Sequence, residues 1–393
     1  MSEKSKTRFL ELDVLRGIAA FSVVLFHYTS EYSTQFKHSP DLNFYFGYGR
    51  HGVELFFIIS GFVILMTLDN TKRGLDFIVG RLSRLYPAYW VAVIITFVVV
   101  KISKLPVKEV NILEALCNLT MMQGFFGIPN VDGVYWTLKV ELCFYLLMFT
   151  VYKLGQLKNI SLITLGWLSL TSFYAIKTYI ARWNLFTGLT SNTNNTNFLL
   201  HGNYNFPTLS INHKLMVLDI VGNIPESGFN IKNILRDILV FGHAHLFILG
   251  ITLYLIKRNG YSLWRCVMLL FCILVQRVAY SWENSWETTI FVAAFTLIFC
   301  LAMQGYLGFI KIKPLIFSGS ISYSLYLIHQ NIGYVIIKTL YNYKINPYIS
   351  IMVAIICSIV LALLISKLIE YPAMVFIRDK YKNKILPKLI NGN

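Results

Sequence analysis

The chain has 393 residues, 56% of them apolar and only 14% charged, with 35 Lys and Arg against 19 Asp and Glu for a formal charge of +16. Soluble domains carry about 25% charged residues, so this sequence has too few to solvate a globule of its length. Apolar runs of about 20 residues recur along it, each long enough to cross a hydrocarbon core about 30 Å thick, which excludes a soluble enzyme, a disordered protein and a nucleic-acid binder.

The fold class that follows is all-α, a polytopic membrane protein. The runs predict about ten spans, near 13–32, 51–69, 85–102, 134–153, 160–180, 236–256, 263–281, 287–310, 315–338 and 347–369. Residues 1–12 read as a cytoplasmic tail, 13–370 as one transmembrane domain with its longest outer loop at 181–235, and 371–393 as a basic cytoplasmic tail. The basic residues cluster at the ends of runs, as at Lys72-Arg73, Lys257-Arg258 and Lys311 to Lys313. The positive-inside rule then puts both termini in the cytoplasm, facing anionic lipid. The first run carries Asp13, Arg16 and His27 and has no small-residue cleavage site after it, which argues against a signal peptide. Six cysteines lie almost all inside apolar runs, without CxxC or metal-ligand spacing, and read as small buried hydrophobes.

Ionisable residues at membrane depth are costly and mark candidate function. In the first span Arg16 and His27 are eleven residues apart, about three turns and 16 Å along a helix, so they share one face. Asp13 lies one turn before Arg16 and Glu31 one turn after His27, which extends the face into a polar seam. The second span opens Arg50-His-Gly-Val-Glu54; a carboxylate there needs a partner and suits the orientation of a histidine general base. Arg81 and Arg84 stand at i and i+3 where the third span begins. Paired guanidinium forks suit polyphosphate, and two positive-inside anchors would have the same spacing. Residues Asn111 to Phe126, between the third and fourth spans, suit an amphipathic or re-entrant helix, and Glu141 falls early in the fourth span. The ninth span presents a hydroxyl-rich face from Ser320 through Tyr323 to His329. His243 and His245, two apart, cannot share one metal from a regular helix, and no metal site is expected. No P-loop, dinucleotide-binding glycine pattern or GxSxG elbow is present.

Taken together, these segments resemble acyltransferase family 3, bacterial membrane enzymes that O-acylate cell-surface glycans. The resemblance rests on Leu15-Arg-Gly-Ile-Ala-Ala through His27, on Gly52-Val-Glu-Leu-Phe-Phe-Ile-Ile-Ser-Gly-Phe and on Arg81-Leu-Ser-Arg-Leu-Tyr-Pro-Ala-Tyr-Trp. Trp136-Thr-Leu-Lys-Val-Glu, Ile321-Ser-Tyr-Ser-Leu-Tyr-Leu-Ile-His and Glu370-Tyr-Pro follow in the family's order. It implies a ten-helix domain taking an acyl group, usually acetyl, from cytoplasmic acyl-CoA to a glycan hydroxyl, in the bacterial inner membrane. By motif, His27 is the essential histidine, as base or transient acyl carrier. Arg16, Arg81 and Arg84 engage the donor, Glu54 or Glu141 orients His27, and Asp13, Tyr323 and His329 give support. The partners so implied are acyl-CoA (acetyl-CoA first), a glycan or lipid-linked glycan acceptor, and membrane lipid. No permanent cofactor and no nucleic acid is expected.

Two departures stand out. Lys139 occupies a position where the family commonly has Ser, and Leu142 and Cys143 follow Glu141 where it has another polar residue. After the tenth span there is no hydrolase-like domain to receive the acyl group, so the chain is expected to act alone or with a separate partner. The outer loop, with Trp183, Tyr204 and Phe206, is the first candidate for acceptor recognition. The competing readings are a transporter of glycan intermediates, and the same enzyme using succinyl or another acyl group.

Overall fold

The computed structural model describes residues 9–38, 40–105, 108–191, 231–279 and 285–387, and every regular element among them is helical. In chain order the α-helices are α1 (Leu10–Phe26), α2 (Tyr32–Phe36), α3 (Gly52–Asp69), α4 (Gly74–Ser103), α5 (Ile112–Asn118), α6 (Trp136–Lys153) and α7 (Ile160–Ser191). There follow α8 (Ile231–Ile238), α9 (Ala244–Asn259), α10 (Leu263–Ala279), α11 (Ser285–Met303), α12 (Lys313–Asn342), α13 (Pro347–Ile365) and α14 (Tyr371–Lys380). Most of the expected outer loop, with Tyr204 and Phe206, lies outside the described residues, as does the side chain of Trp183.

Each expected run falls on a helix, and six helical stretches among the described residues are long and apolar enough to cross a membrane. The others differ for physical reasons. The first helix carries Glu11, Asp13 and Arg16. Helix α9 is buried at each residue from Ala244 to Ile256, and α12 at each from Ile321 to Tyr334. A helix enclosed by protein meets little lipid, so it carries polar groups that a lipid-facing helix does not. The polar seam therefore runs on enclosed elements.

Close approach of these inner helices is set by glycine. A Cβ on Gly319 of α12 would lie 2.0 Å from the carbonyl oxygen of Asp13, and one on Gly250 of α9 would lie 2.0 Å from that of Ile58 on α3. Without a hydrophobic drive between helices in lipid, such small-residue contact is what lets backbones pack.

Three local features depart from a plain reading of the runs. The first span does not end at residue 32: a π-helical turn, His27–Glu31, joins α1 to α2. The third helix starts at Gly74, so Arg81 and Arg84 lie within it and not at its mouth. The sixth run is broken between α8 and α9, where Val240 takes φ 56°, a region a β-branched residue seldom occupies. Between α4 and α6, Asn111 caps α5 in a reciprocal capping box with Glu114. Ile112, Leu113 and Leu116 remain exposed, and α5 ends at Asn118, short of the helix expected to run to Phe126.

Candidate active site

His27 opens the π turn, and the turn decides what it meets. A π turn re-aims side chains by one extra residue and recurs at functional sites. His27 Nδ1 lies 2.9 Å from the Val23 carbonyl oxygen and 3.0 Å from Nε2 of His329 on α12. His329 Nδ1 in turn faces two carbonyl oxygens, Tyr326 at 2.9 Å and Leu325 at 3.1 Å. The tautomers follow from these partners. Facing only acceptors, His329 Nδ1 carries the proton, so in the neutral ring its Nε2 is a lone pair. His27 Nδ1 then donates, shared between Val23 and His329, and His27 Nε2 is left as a lone pair. Tyr28 holds the pairing from the side, its hydroxyl donating to the His329 carbonyl oxygen at 2.7 Å and lying 2.6 Å from Ser358 Oγ.

His27 lines a polar cavity of about 530 Å³, together with Glu31, Arg50, His51, Glu54, Lys108, Trp136 and Gln330. A second cavity of about 70 Å³ lies alongside, lined by Arg16, Arg81, Arg84, Ser60, Glu141, Tyr145 and Tyr323 among others. Val53 and Tyr326 line both, so the two spaces adjoin at these side chains. Tyr326 is steadied by Thr137, whose Oγ1 is 3.0 Å from its hydroxyl.

The arginine cavity gathers residues from five helices, α1, α3, α4, α6 and α12. Arg81 Nη2 donates to Thr67 Oγ1 at 3.0 Å, and its Nε is buried without a hydrogen bond. Glu141 Oε1 accepts from Ser60 Oγ at 2.6 Å and from the Tyr145 hydroxyl. Tyr323 donates to the Leu85 carbonyl oxygen at 2.9 Å, tying α12 to α4 one residue after Arg84. Glu370, in a second π turn at Ser366–Glu370, accepts from Ser324 Oγ at 2.7 Å. The Glu-Tyr-Pro segment thus packs its carboxylate on the same hydroxyl-bearing face of α12.

The two carboxylates expected to orient His27 stand elsewhere. Glu141 is in the arginine cavity. Glu54 lines the histidine cavity, but its near neighbour is His51, whose Nδ1 is 3.8 Å from Glu54 Oε1. His51 Nε2 donates to Glu287 Oε1 at 2.8 Å, and Arg50 Nη2 reaches the same oxygen at 3.0 Å. Among the described residues, the side chain bonded to His27 is His329. The sequence offered one sign of it, the hydroxyl-rich face ending in a histidine; it offered none of the partnership, which spans 302 residues. The roles of His51, Glu287 and Tyr326 carried no sequence signal of their own. Asp13 lies on α1 below Arg16, its backbone against Gly319.

Lys139, the departure from the family pattern, has a local explanation. Its Nζ lies 2.6 Å from Asp237 Oδ2 on α8 and 5.2 Å from the Phe125 ring centroid. It binds α8 to α6, a task a serine is too short to perform.

With this geometry in place, comparison with known proteins is decisive. The profile of acyltransferase family 3, described as an acyltransferase domain, matches residues 9–370. The chain belongs to acyltransferase family 3. It is similar to nodulation protein 10 of Rhizobium leguminosarum bv. viciae, 28% identical over 169 residues, which is 37% of this chain and 44% of that protein. It is also similar to a protein carrying an acetyltransferase name, ORF330, of Acidianus two-tailed virus, 22% identical over 80% of each chain. The match thus spans less than half of the nodulation protein's length. No solved structure matches. Family and apolar helices together support a membrane acyltransferase.

Proposed function

We propose that this acyltransferase moves an acyl group, acetyl first, from acyl-CoA to a hydroxyl of a cell-surface glycan, with His27 Nε2 as the base. The observation that carries the reading is the 3.0 Å contact between His27 Nδ1 and His329 Nε2, with backbone carbonyl oxygens facing Nδ1 of each ring. The acceptor hydroxyl gives its proton to Nε2 as its oxygen attacks the thioester carbonyl. The C–S bond then breaks, and the CoA thiolate takes the proton back from the imidazolium. His329 stabilises that imidazolium through the hydrogen bond at Nδ1.

The donor enters on the arginine side. That cavity is small against ligand sites of about 300–1,000 Å³, so it takes the thioester end of the donor, while the nucleotide phosphates stay at its mouth beside Arg81 and Arg84. Arg16 lines the same cavity, about three turns before His27 in the chain, and the thioester passes Val53 and Tyr326 to reach His27. Positive-inside topology puts the arginine end in the cytoplasm, where acyl-CoA is found, with both termini on that side of a bacterial inner membrane.

Mass spectrometry of surface polysaccharide tests this, comparing cells that carry the intact protein, His27→Ala, or none. One added acyl mass present only with the intact protein supports the reading and identifies the acyl group. An acylated glycan in the His27→Ala cells refutes the role of His27.

A further inference from the structure

Val53 and Tyr326 stand where the arginine and histidine cavities meet. Val53 is in the first turn of α3, and Val53, Phe56, Ser60 and Val63 recur at helical spacing along the arginine cavity. All four are half-buried, while Leu55, Ile58 and Phe62 between them are buried in the core. Helix α3 therefore turns one stripe to the arginine cavity, and Val53 ends that stripe at the histidine cavity.

Tyr326 comes from the buried stretch of α12 and is held at three points. Its hydroxyl lies 3.0 Å from Thr137 Oγ1, and Thr137 gives its own proton to the Val134 carbonyl oxygen at 2.9 Å, so the tyrosine is the donor. Its ring packs edge-on to Phe56, with centroids 5.4 Å apart. Its carbonyl oxygen accepts from His329 Nδ1 at 2.9 Å. Tyr326 is thus the fixed side of the junction, and Val53 supplies the other. With the hydroxyl spent on Thr137, the junction offers a guest an aromatic ring and a short aliphatic side chain, which select by size.

We propose that Val53 and Tyr326 form an acyl-size filter: an acetyl group fits between them as its thioester meets His27, and an acyl group with more bulk beside the carbonyl does not. This rests on the acyltransferase reading above and names the acyl class that it accepts. The donor cavity ends at these two side chains and the base lies beyond them, so the reacting carbonyl stands at the junction. The carbon next to that carbonyl is then in contact with Val53 and Tyr326.

The test uses the full-length protein in lipid nanodiscs with acetyl-, propionyl- and isobutyryl-CoA. Surface polysaccharide from cells lacking the protein serves as acceptor. A thiol assay reads glycan-dependent CoA release, and mass spectrometry reads the acyl mass gained by the glycan. The wild type is expected to favour acetyl over isobutyryl. Val53→Ala should raise kcat/KM for isobutyryl-CoA relative to acetyl-CoA about tenfold, and Val53→Ile should lower propionyl-CoA relative to acetyl-CoA by a similar factor, the scale of methylene discrimination in an apolar pocket. Tyr326→Phe keeps the ring and should keep the wild-type ratios. A general folding defect lowers all three donors alike, so ratios that move in opposite directions at one position report the filter. Both Val53 changes are conservative and made at a half-buried site, so they decide the matter. Unchanged ratios in both Val53 variants overturn the filter, as does a wild type that uses isobutyryl-CoA as readily as acetyl-CoA; either result leaves the acyltransferase reading standing. A wild type that shows no glycan-dependent CoA release from any of the three donors overturns both.

Discussion

Nδ1 of His27 and Nε2 of His329 stand 3.0 Å apart although 302 residues separate them. The carbonyl oxygens of Leu325 and Tyr326 fix the proton on the far side of His329, and this propagates to His27 as a lone pair on Nε2. His329 is a positioning residue on this account. His329→Phe keeps the packing and removes the hydrogen bond, and should lower the acyl-transfer kcat by about 10²-fold or more, the scale of general-base catalysis. The acyl-CoA KM should stay within error, because no donor contact is lost. Steady-state kinetics with acetyl-CoA check both halves.

Arg81 and Arg84 make a separate claim about the donor. If they hold nucleotide phosphates, Arg84→Gln should raise the KM for acetyl-CoA about tenfold, the loss of a charge-assisted contact. It should leave the KM for acetylpantetheine, which lacks those phosphates, unchanged. An equal effect on both donors would place Arg84 at the thioester end or in the fold alone.

The contact between α3 and α9 predicts a folding defect without a chemical one. Gly250 has no room for a side chain against the Ile58 carbonyl oxygen. Gly250→Val should destabilise the bundle by more than the roughly 1–3 kcal/mol of ordinary overpacking, since backbone and not a mobile side chain stands in the way. Thermal unfolding in detergent, followed by size-exclusion fluorescence, should show the loss at any donor concentration.

Asp132 gives a pH dependence. It lies just ahead of α6, buried, and accepts from the backbone N–H of Asn331 at 3.1 Å and of Val134 at 3.3 Å. Burial pushes its carboxyl up to about 7, opposed by these N–H groups and by Lys108. A carboxyl raised in the folded state gives stability that is whole below its unfolded value near 4 and is lost as pH rises through 7. The wild type should therefore unfold at lower temperature at pH 8 than at pH 5, and Asp132→Asn should flatten that difference. A melting series over pH 4 to 9 decides it.

What the sequence revealed and what it withheld divide along a physical line. Hydrophobic length placed the helices, because a lipid core imposes the same thickness on each lipid-facing span. It was less informative about α1 and α12, which carry ionisable or hydroxyl groups among protein neighbours, and about α9, which the turn at Val240 shortens to 16 residues. Arg16, His27, Arg81 and Arg84 were legible because a costly ionisable group in an apolar run needs a reason. Their division into two cavities was not legible, since it depends on the π turn at His27 and on Tyr326 standing between them. Glu54 and Glu141 were expected beside His27, and the structure sets Glu141 against Ser60 and Tyr145 and Glu54 near His51: nothing in chain spacing tells which neighbour a carboxylate meets across a bundle.

The most direct test of the account is thioester cleavage by the purified protein in nanodiscs supplied with surface glycan as the hydroxyl acceptor, measured as glycan-dependent CoA release from acetyl-CoA alongside acetyl-CoA binding. The account predicts that the wild type releases CoA, and that His27→Ala binds acetyl-CoA equally well but releases none above the uncatalysed rate. Sustained CoA release by His27→Ala at the wild-type rate would contradict it.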